Sequence, residues 1–179
     1  NGVEHESSGL VIAPTGTGED RPILTWCHGT TGLGDVACPS AQPDPARELI
    51  TYFTPEATAQ IDYGVPGVQG FIDAGWVVCA TDYQGLGTPG MHQYTVNRTN
   101  ARDAVNIAHA ARQLGIGAGT ALGCTGWSQG GGAPAAVAVL AVCGWRSVPG
   151  RRAGTAAAGS RVAGSDGDED AGAGELADA

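Results

Sequence analysis

The run Trp76-Val77-Val78-Cys79-Ala80 is apolar at every position, and it constrains the fold more than any other feature of the chain. A strand with one wet face alternates apolar and polar side chains, whereas an unbroken run suits a strand covered on both faces, as in a parallel sheet flanked by helices. Ile23-Leu24-Thr25-Trp26-Cys27 has a similar character, and Leu10-Val11-Ile12-Ala13 is a shorter run stopped by Pro14-Thr15-Gly16. A fourth strand is predicted over residues 121–126. Helical signals fall between these runs. Asp44 as a cap and Pro45 at the first helical position open a short helix through Leu49 and Ile50. Residues 68–74 predict a second helix, with Gly75 as a left-handed stop. Residues 100–114 predict the best helix: Ala101, Ala104, Val105, Ala108 and Ala111 recur at helical spacing, Asn100 caps it and Asp103 favours its positive end. A helix of small residues is predicted over 129–141, where Pro134 is expected to introduce strain of about 3 kcal/mol. The order strand, strand, helix, strand, helix, strand, helix implies an α/β fold with a mostly parallel sheet and right-handed crossovers.

Charge narrows the functions open to such a fold. The net charge of -9 argues against nucleic acid, whose phosphates call for a basic surface. All nine basic residues are arginine, so the phosphate-binding lysine of a P-loop is lacking. Gly115-Ile116-Gly117-Ala118-Gly119 approaches a dinucleotide fingerprint, but it precedes its strand instead of following one, and Thr120 stands in the third glycine's place. The five cysteines have neither C-x-x-C nor zinc-finger spacing, so no metal site is expected. Cys27, Cys79 and Cys124 sit in predicted strands and read as small buried hydrophobes. No run approaches the roughly 20 apolar residues of a membrane span, and no signal peptide is visible after Asn1.

Gly126-Trp127-Ser128-Gln129-Gly130 matches G-x-S-x-G. The bare pattern is weak in a glycine-rich chain, but its position between an apolar strand and a helix is where a nucleophile elbow must lie. Ser128 is therefore the expected nucleophile. The loop His28-Gly29-Thr30 follows the second strand, and in acyl-transfer enzymes built this way such a loop and the residue after the serine supply the oxyanion-hole amides. That assigns the main-chain N–H groups of Thr30 and Gln129. His28 reads as a structural anchor of its loop ahead of a general base, and Asp82 likewise as a loop pin.

The chain resembles the secretory lipase family of α/β-hydrolases. The resemblance rests on the runs 26–32, 61–67, 81–90 and 126–132, of which Asp82-Tyr83-Gln84-Gly85-Leu86-Gly87 and Gly126-Trp127-Ser128-Gln129-Gly130-Gly131 are specific in combination. It extends over roughly residues 9–142. It implies an α/β-hydrolase sheet cut after the helix that follows the elbow, and hydrolysis of carboxylic esters, often acylglycerols, by exported enzymes that need no cofactor.

In this fold the triad runs serine, acid, histidine. His5, His28, His92 and His109 all precede Ser128, no histidine follows it, and the later acids lie in 166–178. The domain is accordingly read as residues 1–142, a partial α/β-hydrolase, followed by a tail over 143–179. The Ala/Gly/Arg-rich and acidic tail fits a disordered segment, or, as its composition favours, out-of-frame translation of a GC-rich gene from near Leu140. The strand at 121–124 should then expose one edge, a template for self-association. Two readings follow: a lipase or esterase by descent that lacks its acid and histidine, or a non-catalytic part completed by another polypeptide. The frame-loss reading predicts that another frame of the DNA beyond Leu140 encodes further strands, an Asp or Glu and a late histidine; resequencing that confirms the frame, with no hydrolase pattern in the other two, overturns it.

Overall fold

The computed structural model describes residues 5–46 and 64–142. Four strands form one sheet: β1 (Gly9–Ile12), β2 (Arg21–Cys27), β3 (Val77–Thr81) and β4 (Ala118–Gly126), in the order β1-β3-β2-β4. Among the described residues three full helices flank it: α1 (Val68–Asp73), α2 (Asn97–Ala111) and α3 (Ala133–Val142). β2 pairs in parallel with β3 on one side and β4 on the other. β1 runs antiparallel to β3, the one departure from parallel order among the described strands. The short link between β1 and β2, residues 13–20, explains it: a parallel crossover takes a dozen residues or more, usually a helix.

β2 and β3 lack alternation because both their faces are covered. Leu24, Trp26, Val78 and Ala80 face one core with Val65, Val68, Phe71 and Ile72. Ile23, Val77 and Cys79 face the other with Ala108 and Ala111, which continues through Cys27, Tyr83, Ala101, Ala104, Ala133 and Val137. Successive side chains of a strand point to opposite faces, so each apolar run feeds both layers. On α2 the sheet-facing stripe is alanine, and Ala101, Ala104, Ala108 and Ala111 are buried. Side chains this small let the helix axis lie close to the strands.

Four expectations need correction. The long helix begins at Asn97, not Asn100, with Val96 in the cap position and no side-chain cap. The N–H groups of Thr99 and Asn100 instead reach the Val96 carbonyl, at 2.9 and 3.1 Å. Asn100 is thus inside the helix and fully buried. Asp103, one turn further in than expected, serves no helix end; it is buried and accepts the Gln84 N–H at 3.0 Å. Pro134 is the second residue of α3, where a missing N–H takes no intrahelical bond from the chain, so the strain of a helix-interior proline does not arise. The helix expected at residues 129–141 starts instead as a tight 3-10 turn, Ser128–Gly132, before α3. Residues 68–74 and Gly75, with its φ of 85°, behave as expected. The helix read from Asp44 to Ile50 lies mostly outside the described residues, as does the tail.

Burial pushes the Asp103 carboxyl up to about 6 from 3.8, against the bond from Gln84 N–H, which lowers it. A carboxylate pKa raised by folding means that the native state binds the extra proton. Its contribution is therefore best below the unfolded pKa and is lost as pH rises from about 4 to about 6. Asp103→Asn keeps an acceptor for Gln84 and removes the charge. Urea melts should show the variant near parity with the parent at pH 4 and more stable at pH 7, by up to about 3 kcal/mol. Equal differences at the two pH values would mean that Asp103 ionises freely.

Candidate active site

Cys27, Thr81 and Gly126 stand side by side, because Cys27 is the register partner of both Thr81 and Gly126. Three strands thus end together, and their following loops, at 28–30, 82–87 and 127–132, gather at one edge. In open α/β sheets ligands bind at this carboxyl edge, where strand order reverses. Here the reversal falls at β2, with β3 on one side and β4 on the other.

Ser128 sits where β4 turns into the 3-10 segment. Trp127 is extended (φ -131°, ψ 147°), and its N–H donates to the Cys27 carbonyl at 3.1 Å. Ser128 then adopts a left-handed φ of 51°, a conformation that stores on the order of 1 kcal/mol or more in a non-glycine residue. The Gly130 N–H closes the turn onto the Trp127 carbonyl at 2.8 Å. The serine is left exposed at the crest.

Both flanking glycines are required by close packing on β2. A Cβ at Gly126 would lie 2.9 Å from Cys27 Cβ and O and would run into the Gly130 carbonyl. One at Gly130 would strike the Cys27 carbonyl and come within 2.7 Å of the His28 oxygen. The spacing of the motif therefore follows from the approach of this turn to the end of β2. Gly131 meets nothing within 4 Å.

The neighbouring loops are held by buried polar groups. His28 is buried, with Nδ1 2.6 Å from the Gly29 carbonyl and Nε2 3.3 Å from the Asp82 carbonyl. Its ring lies 4.3 Å from that of Tyr83, whose hydroxyl donates to the His28 carbonyl at 2.9 Å. Desolvation lowers the His28 pKa. The buried Asp82 carboxylate accepts three bonds, from Ser8 Oγ and Ser40 Oγ at 2.6 Å each and from Ser40 N–H at 2.8 Å. Both groups are engaged as loop pins. Thr30 is exposed, and its hydroxyl lies 2.9 Å from the Tyr94 hydroxyl.

Gln129 is buried, and its side chain makes a contact that no sequence signal indicated: Nε2 lies 2.8 Å from His92 Nε2. His92 Nδ1 lies 3.1 Å from the Gln84 carbonyl. The remaining histidines are also engaged, His5 with the Gln84 amide at 2.9 Å and His109 with Arg112 at 3.2 Å. The structure thus brings Ser128 and Gln129 to the same edge as the Thr30 loop, and it occupies both ring nitrogens of His28 and of His92 with other partners.

Beneath the elbow, Cys27 and Cys124 place their sulfurs 3.9 Å apart. Cys27 and Cys79 are fully buried, as expected of small apolar side chains, whereas Cys124 is half-exposed. Burial raises the Cys79 thiol to about 12. The hydrogen bond with Cys27 is the main cause that lowers Cys124 to about 7 and raises Cys27.

The packing of the elbow predicts a contrast between adjacent glycines. Gly130→Ala should destabilise the fold by about 1–3 kcal/mol, because its new methyl meets backbone that cannot step aside. Gly131→Ala should change stability by less than about 1 kcal/mol, in either direction. Urea denaturation of the two variants checks this, and equal effects would mean that the turn does not pack on β2 as described.

A sequence model of the secretory lipase family matches residues 52–144, just over half of the chain. Among solved structures, the chain is similar to a rice cell wall degrading esterase, LipA, from Xanthomonas oryzae, with a TM-score of 0.56 and 23% identity over 76% of this chain. A ligand-bound form of the same esterase gives 0.53 and 21% over 78%. The chain spans about a third of the length of those structures, 33% and 34%. No curated protein matches it. The α/β architecture agrees with those esterases, and the match over residues 52–144 places this chain in the secretory lipase family.

Proposed function

We propose that this chain is the nucleophile-bearing part of a carboxylic-ester hydrolase, with Ser128 as the nucleophile. The observation that carries the reading is Ser128 itself, exposed and left-handed at the carboxyl edge of the sheet. The serine oxygen would attack the ester carbonyl carbon, and the carbonyl oxygen would take up the negative charge. Main-chain N–H groups of Gln129 and Thr30 would stabilise that oxyanion. Collapse of the intermediate would release the alcohol with a proton and leave an acyl-serine, which water would cleave to the acid. Small-molecule or lipid esters are the substrate class, and no cofactor enters these steps. Membership of a secretory family supports an extracellular site of action, and among the described residues no helix is long and apolar enough to cross a membrane.

The serine needs a base to take its proton. No histidine follows Ser128 within these 179 residues, and the ring nitrogens of His28 and His92 are committed elsewhere. This favours a second reading, in which the unit is silent until another polypeptide segment supplies acid and histidine. An unassisted serine loses several orders of magnitude in rate. Hydrolysis of p-nitrophenyl butyrate by the 179-residue chain is therefore expected near the background of a Ser128→Ala control. A fluorophosphonate should still label Ser128 slowly, as read by mass spectrometry. Serine-dependent turnover of about 1 per second or more would assign the base to an upstream histidine such as His92, and labelling anywhere but Ser128 would remove it as the nucleophile.

A further inference from the structure

His92 lies 36 residues before Ser128 in the chain and is buried beneath the elbow. Its two ring nitrogens make two different demands. Nδ1 faces the Gln84 carbonyl at 3.1 Å, and a carbonyl oxygen only accepts, so Nδ1 must carry a proton. Nε2 faces the Gln129 amide nitrogen at 2.8 Å, and an amide NH2 only donates, so Nε2 must offer its lone pair. One species meets both demands: neutral imidazole with its proton on Nδ1. The reverse amide orientation would place Oε1 against Nε2 and require a proton on both nitrogens. The orientation present in the structure, with the amide nitrogen against Nε2 and the carbonyl against Nδ1, selects the neutral form.

The clamp continues from Gln84 to α2. The Gln84 N–H donates to Asp103 on α2 at 3.0 Å, so one line of hydrogen bonds runs Asp103, Gln84, His92, Gln129. The segment carrying His92 is pressed onto Gly85, where a Cβ would meet the His92 backbone nitrogen and lie 2.5 Å from the Met91 carbonyl carbon. Gly85 has a φ of 77°. The His92 ring also stacks on Tyr83, with centroids 6.0 Å apart and planes at 21°. The imidazole therefore has a fixed place and one tautomer, and the residue it grips directly follows Ser128.

We propose that His92 is a positioning residue of the elbow, a neutral imidazole protonated on Nδ1 whose Nε2 lone pair anchors the Gln129 side chain and so fixes the main-chain N–H of Gln129. The proposal rests on the reading of Ser128 and Gln129 given above, for which that N–H stabilises the oxyanion. It also gives a partner to the amide nitrogen of the glutamine buried directly after an exposed serine. A lone pair already accepting an N–H is not free to take the serine proton.

Nitrogen-15 NMR of the whole chain tests the clamp without reference to turnover. Long-range correlations should show His92 protonated on Nδ1 and bare on Nε2, with a scalar coupling through the hydrogen bond from Gln129 Nε2 to His92 Nε2. A proton on Nε2, or no coupling, overturns the proposal. In Gln129→Glu the carboxylate would accept, so the ring should carry both protons at pH 7; an unchanged tautomer counts against the contact. In His92→Ala the main-chain amide signals of Gln129 and Gly130 should move and fluorophosphonate labelling of Ser128 should slow about tenfold. If the amide signals stay in place, His92 does not position the elbow. Should His92→Ala fail to fold, the native tautomer and Gln129→Glu decide the question. A clamp present by NMR in a chain whose Ser128 resists every electrophile would leave this inference standing and overturn the esterase reading.

Discussion

The approach of the turn after β4 to the end of β2 organises the carboxyl edge of the sheet. The Cys27 carbonyl accepts the Trp127 N–H, while Gly126 and Gly130 both lie against Cys27 without room for a side-chain carbon. That contact forces the chain to reverse within one residue, and Ser128 takes up the reversal at a left-handed φ. Such a conformation persists only where its surroundings over-determine it. Here they do so from both sides: parallel pairing of β2 with β4 brings the turn in, and α3 packs against α2 behind it.

Around that contact the fold spends its buried polar residues on loops. Asp82 ties the segment before β1 and the turn at Ser40 to the end of β3. His28 and Tyr83 join the ends of β2 and β3, with a ring contact and a hydroxyl bonded to a carbonyl. His92 joins the loop after β3 to the elbow. Loops at this edge carry many backbone groups that have no ladder partner, and a buried backbone group left unpaired is costly. Side chains able to bond two ways answer that need, and histidine, with two distinct ring nitrogens, does so twice. The same engagement that steadies the loops gives both ring nitrogens of each imidazole a partner.

Local sequence rules located the strands well, because their signal is burial on both faces and burial leaves an unbroken apolar run. They misplaced what depends on neighbours distant in sequence. Asn100 has the chemistry of a cap, yet Asn97 at the true helix start lies against Gly132, more than thirty residues away, and Asn100 is buried instead. Pro134 falls inside an apparent helical pattern, but the turn forced by Cys27 delays the α-helix to Ala133 and moves the proline into its first turn. The direction of β1 was likewise decided by its partner, β3, and by a link too short for a crossover.

By itself the sequence determined the α/β class, the four described strands and the expectation that the serine of G-x-S-x-G lies at a strand-to-helix turn. These follow from periodicity and from glycine spacing, properties of residues close along the chain. Only the tertiary structure decided that the ends of β2, β3 and β4 align, that both flanking glycines answer to one carbonyl of β2, and that His92 faces Gln129 and not the serine. A hydrogen bond between residues 37 apart leaves no trace in local periodicity. It depends on crossovers that bring the loop after β3 beside the turn after β4, and that juxtaposition exists only once the sheet has formed.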